Sequence, residues 1–289
     1  MPSTKPSVLD DRPPSWAQPE LVSRLRKLKG KVKYDDRHVD RPVIEVRLGG
    51  TAINDEHLVG LEVFADVRRL ELQGTAISDA GLAHVAGLVR LRVLDLDSTD
   101  VGDIGLSHLA HLKALEELDL YGTQVSDAGL EFLAGLSNLR SLNLECTRVT
   151  DAGLPQLRPL QSLDELYLGG DMPVTDVGLA ELAYLPQLAT LGLGGTQITG
   201  AGLRHLAGLT SLVWLSLKHT SIGDADLIHL AGLDKLASLC LDGVNVGDAG
   251  LAYLRRLKSL RWLYLDGTQV SDEGIRQMQR VLRRVKIVR

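Results

Sequence analysis

The chain has 289 residues, 44% of them hydrophobic, with 32 Lys and Arg against 37 Asp and Glu and a formal net charge of −5. This mildly acidic balance excludes the strongly basic surface that coats a nucleic acid, and the opening MPSTKPSVLDDRPP lacks the apolar run of a signal peptide or membrane anchor. Two Phe against 29 Gly call for a core of thin aliphatic layers without large aromatic clusters.

Residues 1–18 hold four of the ten prolines and are expected to form a flexible tail. Residues 19–42 read as an N-terminal helical cap, in which PELVSRLRKLKGKV (19–32) turns Leu21, Leu25 and Leu28 toward the chain that follows. From Val43 a unit close to LxxLxLxGTxVSDAGLxxLAGL then recurs ten times, starting at Val43, Val67, Leu91, Leu115, Leu139, Leu163, Leu188, Leu212, Leu236 and Leu260. The period is 24 residues, except for 25 from Leu163 to Gln187. Such a period decides the architecture before any other feature. Positions 1, 4, 6, 11, 16, 19 and 22 are apolar; in the copy at Leu115 they are Leu115, Leu118, Leu120, Val125, Leu130, Leu133 and Leu136. Positions 4 and 6 alternate with polar residues as a short strand requires, and 16, 19 and 22 have the spacing of a helix face. Each copy is one strand, one turn and one helical return, and only stacking closes the core. The ten repeats span residues 43–283. At the far end Ile275, Met278, Val281 and Leu282 make an apolar helix face, and residues 284–289, with Val285 and Ile287, a capping strand.

Position 13 is Asp in nine copies (Asp55, Asp79, Asp103, Asp127, Asp151, Asp176, Asp224, Asp248, Asp272), where it is expected to cap the helical segment that it begins. Gly200 is the exception, so the coil from Leu188 is expected to have the weakest helix start. Position 9 is Thr in eight copies, a hydroxyl suited to the buried backbone of neighbouring bends. The longer copy carries Asp171, Met172 and Pro173 at this bend.

These repeats resemble the leucine-rich repeat family, in particular bacterial GTxVTDAGL repeats and, more distantly, the cysteine-containing repeats of F-box substrate receptors. The resemblance covers residues 43–289 and implies an α/β fold, a curved right-handed solenoid with a parallel sheet lining the concave face and helices on the convex face. Family members mostly bind proteins, which implies a mode of action and no particular partner. Secreted animal members carry cysteine-rich caps. Here the two cysteines, Cys146 and Cys240, stand four repeats apart, roughly 19 Å at the strand spacing, too far for a disulfide. A reducing, cytoplasmic location is expected.

Charge varies along the axis: residues 1–48 sum to +4, residues 49–254 to −16 and residues 255–289 to +7. The acidic middle remains acidic after the capping Asp residues are set aside, so the expected partner is a cationic protein or peptide, not a nucleic acid or a membrane. Positions 3, 5 and 7 of each strand point out of the concave face. Those 30 sites hold five of the nine Trp and Tyr residues: Tyr121, Tyr167, Trp214, Trp262 and Tyr264. Exposed aromatics at this density read as a contact surface, although they also stiffen a sheet without binding anything. Asp95, Asp97, Glu117, Asp119, Glu145 and Glu165 form an acidic field over the central coils, with Lys218 farther along. Beside the field, Gly192, Gly194, Ser216 and Cys240 suggest a small-residue trough between Tyr167 and Tyr264 that would take an apolar or aromatic anchor.

The leading reading is a non-catalytic, monomeric protein- or peptide-binding module without cofactor or metal. The alternatives are an adaptor that recruits a held target to other machinery, and an enzyme using Cys240. The nearest base to that thiol, His219, lies about 10 Å away along the strand direction, which disfavours catalysis. His84, His108, His205 and His229 share position 18 and read as half-buried spacers in preference to metal ligands.

Overall fold

The computed structural model describes residues 19–289, so the expected tail at 1–18 lies outside the described residues. Twelve strands form one sheet in sequence order: β1 (Lys31–Tyr34), β2 (Val43–Arg47), β3 (Arg69–Glu71), β4 (Val93–Asp95), β5 (Glu117–Asp119), β6 (Ser141–Asn143), β7 (Glu165–Tyr167), β8 (Thr190–Gly192), β9 (Trp214–Ser216), β10 (Ser238–Cys240), β11 (Trp262–Tyr264) and β12 (Lys286–Val288). All pairings from β2 onward are parallel and keep equivalent repeat positions opposite each other, as in Leu118↔Leu142 and Leu142↔Leu166. The seven apolar positions of each coil therefore stack into one continuous core; the Leu115 set, for example, is 0–2% exposed throughout.

The N-terminal cap differs from the expected helix over 19–32. The helix covers Pro19–Lys27 and buries Leu21, Val22 and Leu25. Lys29 turns to φ 66° and the Gly30 N–H donates to the Leu25 carbonyl at 3.0 Å, which ends the helix. A Cβ on Gly30 would lie 2.3 Å from Leu48 Cδ2, so the chain must pass there as glycine. Residues 31–34 then pair antiparallel with β2. The loop between them is tied by Asp35, which is 3% exposed; the Arg37 guanidinium holds its carboxyl down at about 2.

Polar side chains join the coils in a different direction from the one the sequence suggested. From Asp55 to Asp248 the Asp at position 13 accepts from the next coil, not from its own helical turn, whereas Asp272 in the last coil accepts from the Arg289 guanidinium at 2.9 Å. Asp127, for instance, accepts from the Thr150 N–H and hydroxyl, both at 2.7 Å, and Asp55, Asp103, Asp151, Asp176 and Asp248 treat the corresponding Ser or Thr in the same way. Except at Ser126, that hydroxyl in turn accepts from the first turn of its own coil, as Thr150 does from the Ala152 N–H at 3.2 Å. The carboxylate occupies the space of a side chain at position 15 of the next coil: a Cβ on Gly129 would stand 2.5 Å from Asp103 Oδ1. Glycine is thus required inside the return at this position.

The Gly200 exception is compensated. Position 15 of the following coil carries Asp226 in place of the usual glycine, and its carboxylate accepts from the Gly223 N–H at 2.8 Å. A Cβ on Gly200 would lie 1.8 Å from Asp226 Cγ. The carboxylate fills the same space from the opposite coil, and the expected weak start is absent: the turn Gly200–Leu203 forms with Thr199 as its cap. The threonines at position 9 also serve their own coil, each donating to the carbonyl three residues before, as Thr123 does to Leu120 at 2.8 Å.

Candidate functional site

The concave face follows from strand alternation. Positions 4 and 6 point into the core, while positions 3 and 5 look out from β3 to β11 with position 7 just beyond them. The structure brings Asp95, Glu117 and Asp119 into one shallow groove of about 180 Å³ on β3 to β7, together with Arg69, Ser141, Asn143 and Tyr167. Asp97, Tyr121 and Glu145 stand beyond it at the strand ends, and Glu165 borders it, accepting from the Ser141 hydroxyl at 3.1 Å.

Part of the acidic field has a structural task. Asp95 Oδ1 accepts from the Asp97 N–H at 3.1 Å and Asp119 Oδ1 from the Tyr121 N–H at 2.9 Å, closing the bend after each strand; Asn143 does the same for Glu145. Burial raises both carboxyls above the usual range. At Asp95 the neighbouring charges of Asp119, Asp97 and Glu71 add to the rise, while at Asp119 the Tyr121 N–H and Asn143 oppose it. Glu145 is also raised by burial, with Lys218 pulling it back. Asp95, Asp119 and Glu145 are therefore carboxylates short of solvation, a condition that a ligand cation relieves.

Arg69, Glu71, Ser141 and Asn143 belong to this surface although charge counting did not select them. Arg69 reaches across β4, its guanidinium 3.7 Å from Glu117 and 3.7 Å from Glu71, so the protein's own cation borders the groove. The signal was available: Arg69 stands at position 3 of the coil directly before Asp95.

The trough expected toward the C-terminal half is covered. A Cβ on Gly192 would stand 2.9 Å from Tyr167 Cδ1, and one on Gly194 would stand 2.5 Å from Lys218 Cγ, so these two long side chains lie over the glycines. Gly192, Gly194 and Ser216 are buried. Tyr167 leans across to Trp214, with ring centroids 6.0 Å apart and planes tilted by 55°. Trp262 and Tyr264 stack 6.5 Å apart at 15°, and Lys286 Nζ sits 4.7 Å from the Trp262 ring centre.

Cys240 is half-buried, and its thiol donates to Asp242 Oδ2 at 3.3 Å. Burial pushes this thiol up, the reverse of what a nucleophile at neutral pH requires. At pH 7 Cys240 is expected to react with iodoacetamide about tenfold more slowly than an unhindered thiol of ordinary acidity. Peptide mapping of timed samples reads that rate, and a rate above the free-thiol value would restore the nucleophile reading. The four histidines at position 18 are half-buried on the returns, and among the described residues no three metal-binding side chains converge.

Stacked parallel strands, one per 24-residue unit, with aliphatic side chains filling the space between strand and return, define the architecture. This is a leucine-rich repeat solenoid. A leucine-rich repeat model matches residues 91–110, 111–134 and 135–154. Among solved structures the repeat protein is similar to internalin C2 of Listeria monocytogenes (28% identity over 71% of this chain and 80% of that one, TM-score 0.57). It is also similar to a second internalin of that organism (19% identity, 93% and 94% coverage, TM-score 0.50) and to the plant peptide hormone receptor RGFR1 in complex with RGF2 (16% identity, 89% and 51% coverage, TM-score 0.58). No curated protein matches the sequence. Among the described residues no helix is long and apolar enough to cross a membrane.

Proposed function

We propose that this leucine-rich repeat protein is a non-catalytic module that binds a cationic protein or peptide on its concave face. The observation that carries the reading is the groove in which Asp95, Glu117 and Asp119 converge, bounded by Tyr167. Two of these carboxyls are raised by burial, so a Lys or Arg from a partner supplies the charge that water does not. The aromatic residues Tyr167, Trp214, Trp262 and Tyr264 lie along the same face and contribute contact area that loses little side-chain entropy on binding. The peptide-bound receptor among the structural neighbours is consistent with this mode of use. The module acts as a monomer in the cytoplasm, where its unpaired Cys146 and Cys240 remain thiols.

The test spares the carboxylates that close strand ends. Glu117→Arg with Glu165→Arg reverses two charges on the face, whereas Glu131→Arg, in the helical return Glu131–Leu133, serves as control. Partners captured from the native host by the wild type should be kept by the control and weakened at least about tenfold by the double variant, with melting temperature unchanged. Equal capture by all three proteins would refute concave-face binding.

A further inference from the structure

The sheet ends at β12, whose outer edge is paired with no strand among the described residues. The bonds between β11 and β12 show what such an edge offers. The Arg261 carbonyl accepts from the Lys286 N–H at 2.7 Å and the Leu265 N–H donates to the Val288 carbonyl at 2.9 Å, with Leu263 between them in register with Ile287. Backbone groups of a strand alternate between its two sides. At β12 the Val285 carbonyl, the N–H and carbonyl of Ile287 and the Arg289 N–H therefore face away from β11, in the order that β11 presents to β12. The side chains are open as well. Ile287 stands at position 4, where Leu239 and Leu263 are 0% exposed, yet it stays half-buried, and Val288 beside it is exposed. One more parallel strand would pair these groups and cover the end of the core.

Charge selects the occupant. Residues 255–289 carry 10 Lys and Arg against 3 Asp and Glu, and two of those acids, Asp272 and Glu273, are already paired with Arg289 and Arg276. Arg283 and Arg284, exposed just before β12, are left without a carboxylate partner among the described residues. A second copy of the chain is disfavoured on the same ground. Two β12 edges would set these arginines and Lys286 against their own kind, and the opposite end of the sheet brings Lys31 and Lys33 on β1, within a segment that sums to +4. We propose that the β12 edge takes an extended acidic segment of a partner protein as an added parallel strand. One apolar side chain of that segment covers Ile287, and its carboxylates lie beside Arg283, Arg284 and Lys286. Main-chain bonds at Ile287 hold the segment, and the cations choose an acidic one. This surface lies at one end of the solenoid and does not depend on concave-face binding, so the protein can hold an acidic partner and a cationic one together.

The experiment is a fluorescence-anisotropy titration of the full chain against a fluorescein-labelled peptide, acetyl-Glu-Glu-Glu-Ile-Glu-Val-Glu-amide. Binding should saturate, and Arg283→Glu with Arg284→Glu should weaken it at least about tenfold. Lys235→Glu with Arg256→Glu makes the same change of charge at exposed sites away from the edge and should weaken it less than about twofold. N-methylation of the two glutamates that flank isoleucine keeps every charge of the peptide and removes the N–H groups that would reach the Val285 and Ile287 carbonyls. It should weaken binding about tenfold. In the complex with the unmodified peptide, amide exchange of the Ile287 N–H, followed by NMR, should slow at least about tenfold, while that of Lys286, already bonded to Arg261, should not change. Equal binding of the N-methylated peptide would reduce the edge to an unspecific basic patch and overturn the proposal. So would an unprotected Ile287 N–H, or equal affinity in the Arg283 and Arg284 double variant.

Discussion

Gly200→Asp, which restores the majority residue of the repeat at that position, is expected to destabilise the protein by about 2–4 kcal/mol. The new side chain would start 1.8 Å from Asp226 Cγ, so Asp226 must leave its place and release the Gly223 N–H. Two carboxylates would then compete for one space that suits one. Asp226→Gly alone leaves that N–H without its acceptor and should cost about 1–2 kcal/mol. Combined, the two changes recreate the Asp and Gly arrangement found at Asp176 and Gly202 one coil earlier, with its carboxylate on the next coil's backbone. The double variant should therefore return to within about 0.5 kcal/mol of the parent, a coupling far outside the additivity of independent sites. Urea midpoints of the four proteins complete the cycle, and additive losses would show that the two residues do not share one site.

This pair also separates what the repeat pattern carries from what only the stacking of coils decides. The 24-residue period placed the strands and the core because only one register buries positions 4 and 6 in every coil. The direction of the polar contacts was not readable from any single repeat. An Asp at position 13 can serve the helical turn it begins or the coil 23 residues on, and only the geometry of stacking selects the second. The compensating change at Asp226 was the visible sign, since a carboxylate replaced the usual Gly in the coil directly after the one exception. The aromatic and acidic rows were legible from alternation, whereas the covered trough was not. A glycine marks absence of its own side chain and says nothing of the long neighbour, Tyr167 or Lys218, that lies across it.

Leu142→Ala should lower stability by about 3 kcal/mol, the usual cost of emptying a fully buried leucine site. Leu142 is 0% exposed, at position 4 of β6, and touches the equivalent leucines of the coils on both sides through the Leu118 and Leu166 registers. In a solenoid each coil meets only its neighbours, so this cavity weakens the two interfaces that join the coils before and after it. The loss should then separate two halves instead of lowering a single transition. Trp214 and Trp262 both lie in the C-terminal half, so in a Trp16→Phe background tryptophan fluorescence reports that half, while far-ultraviolet circular dichroism reports the whole chain. The two urea curves should coincide in the parent and part in Leu142→Ala, with the fluorescence transition at the higher urea concentration. Coincident curves in the variant would mean that the stack unfolds as one unit despite a weakened centre, and that its cooperativity extends beyond nearest neighbours.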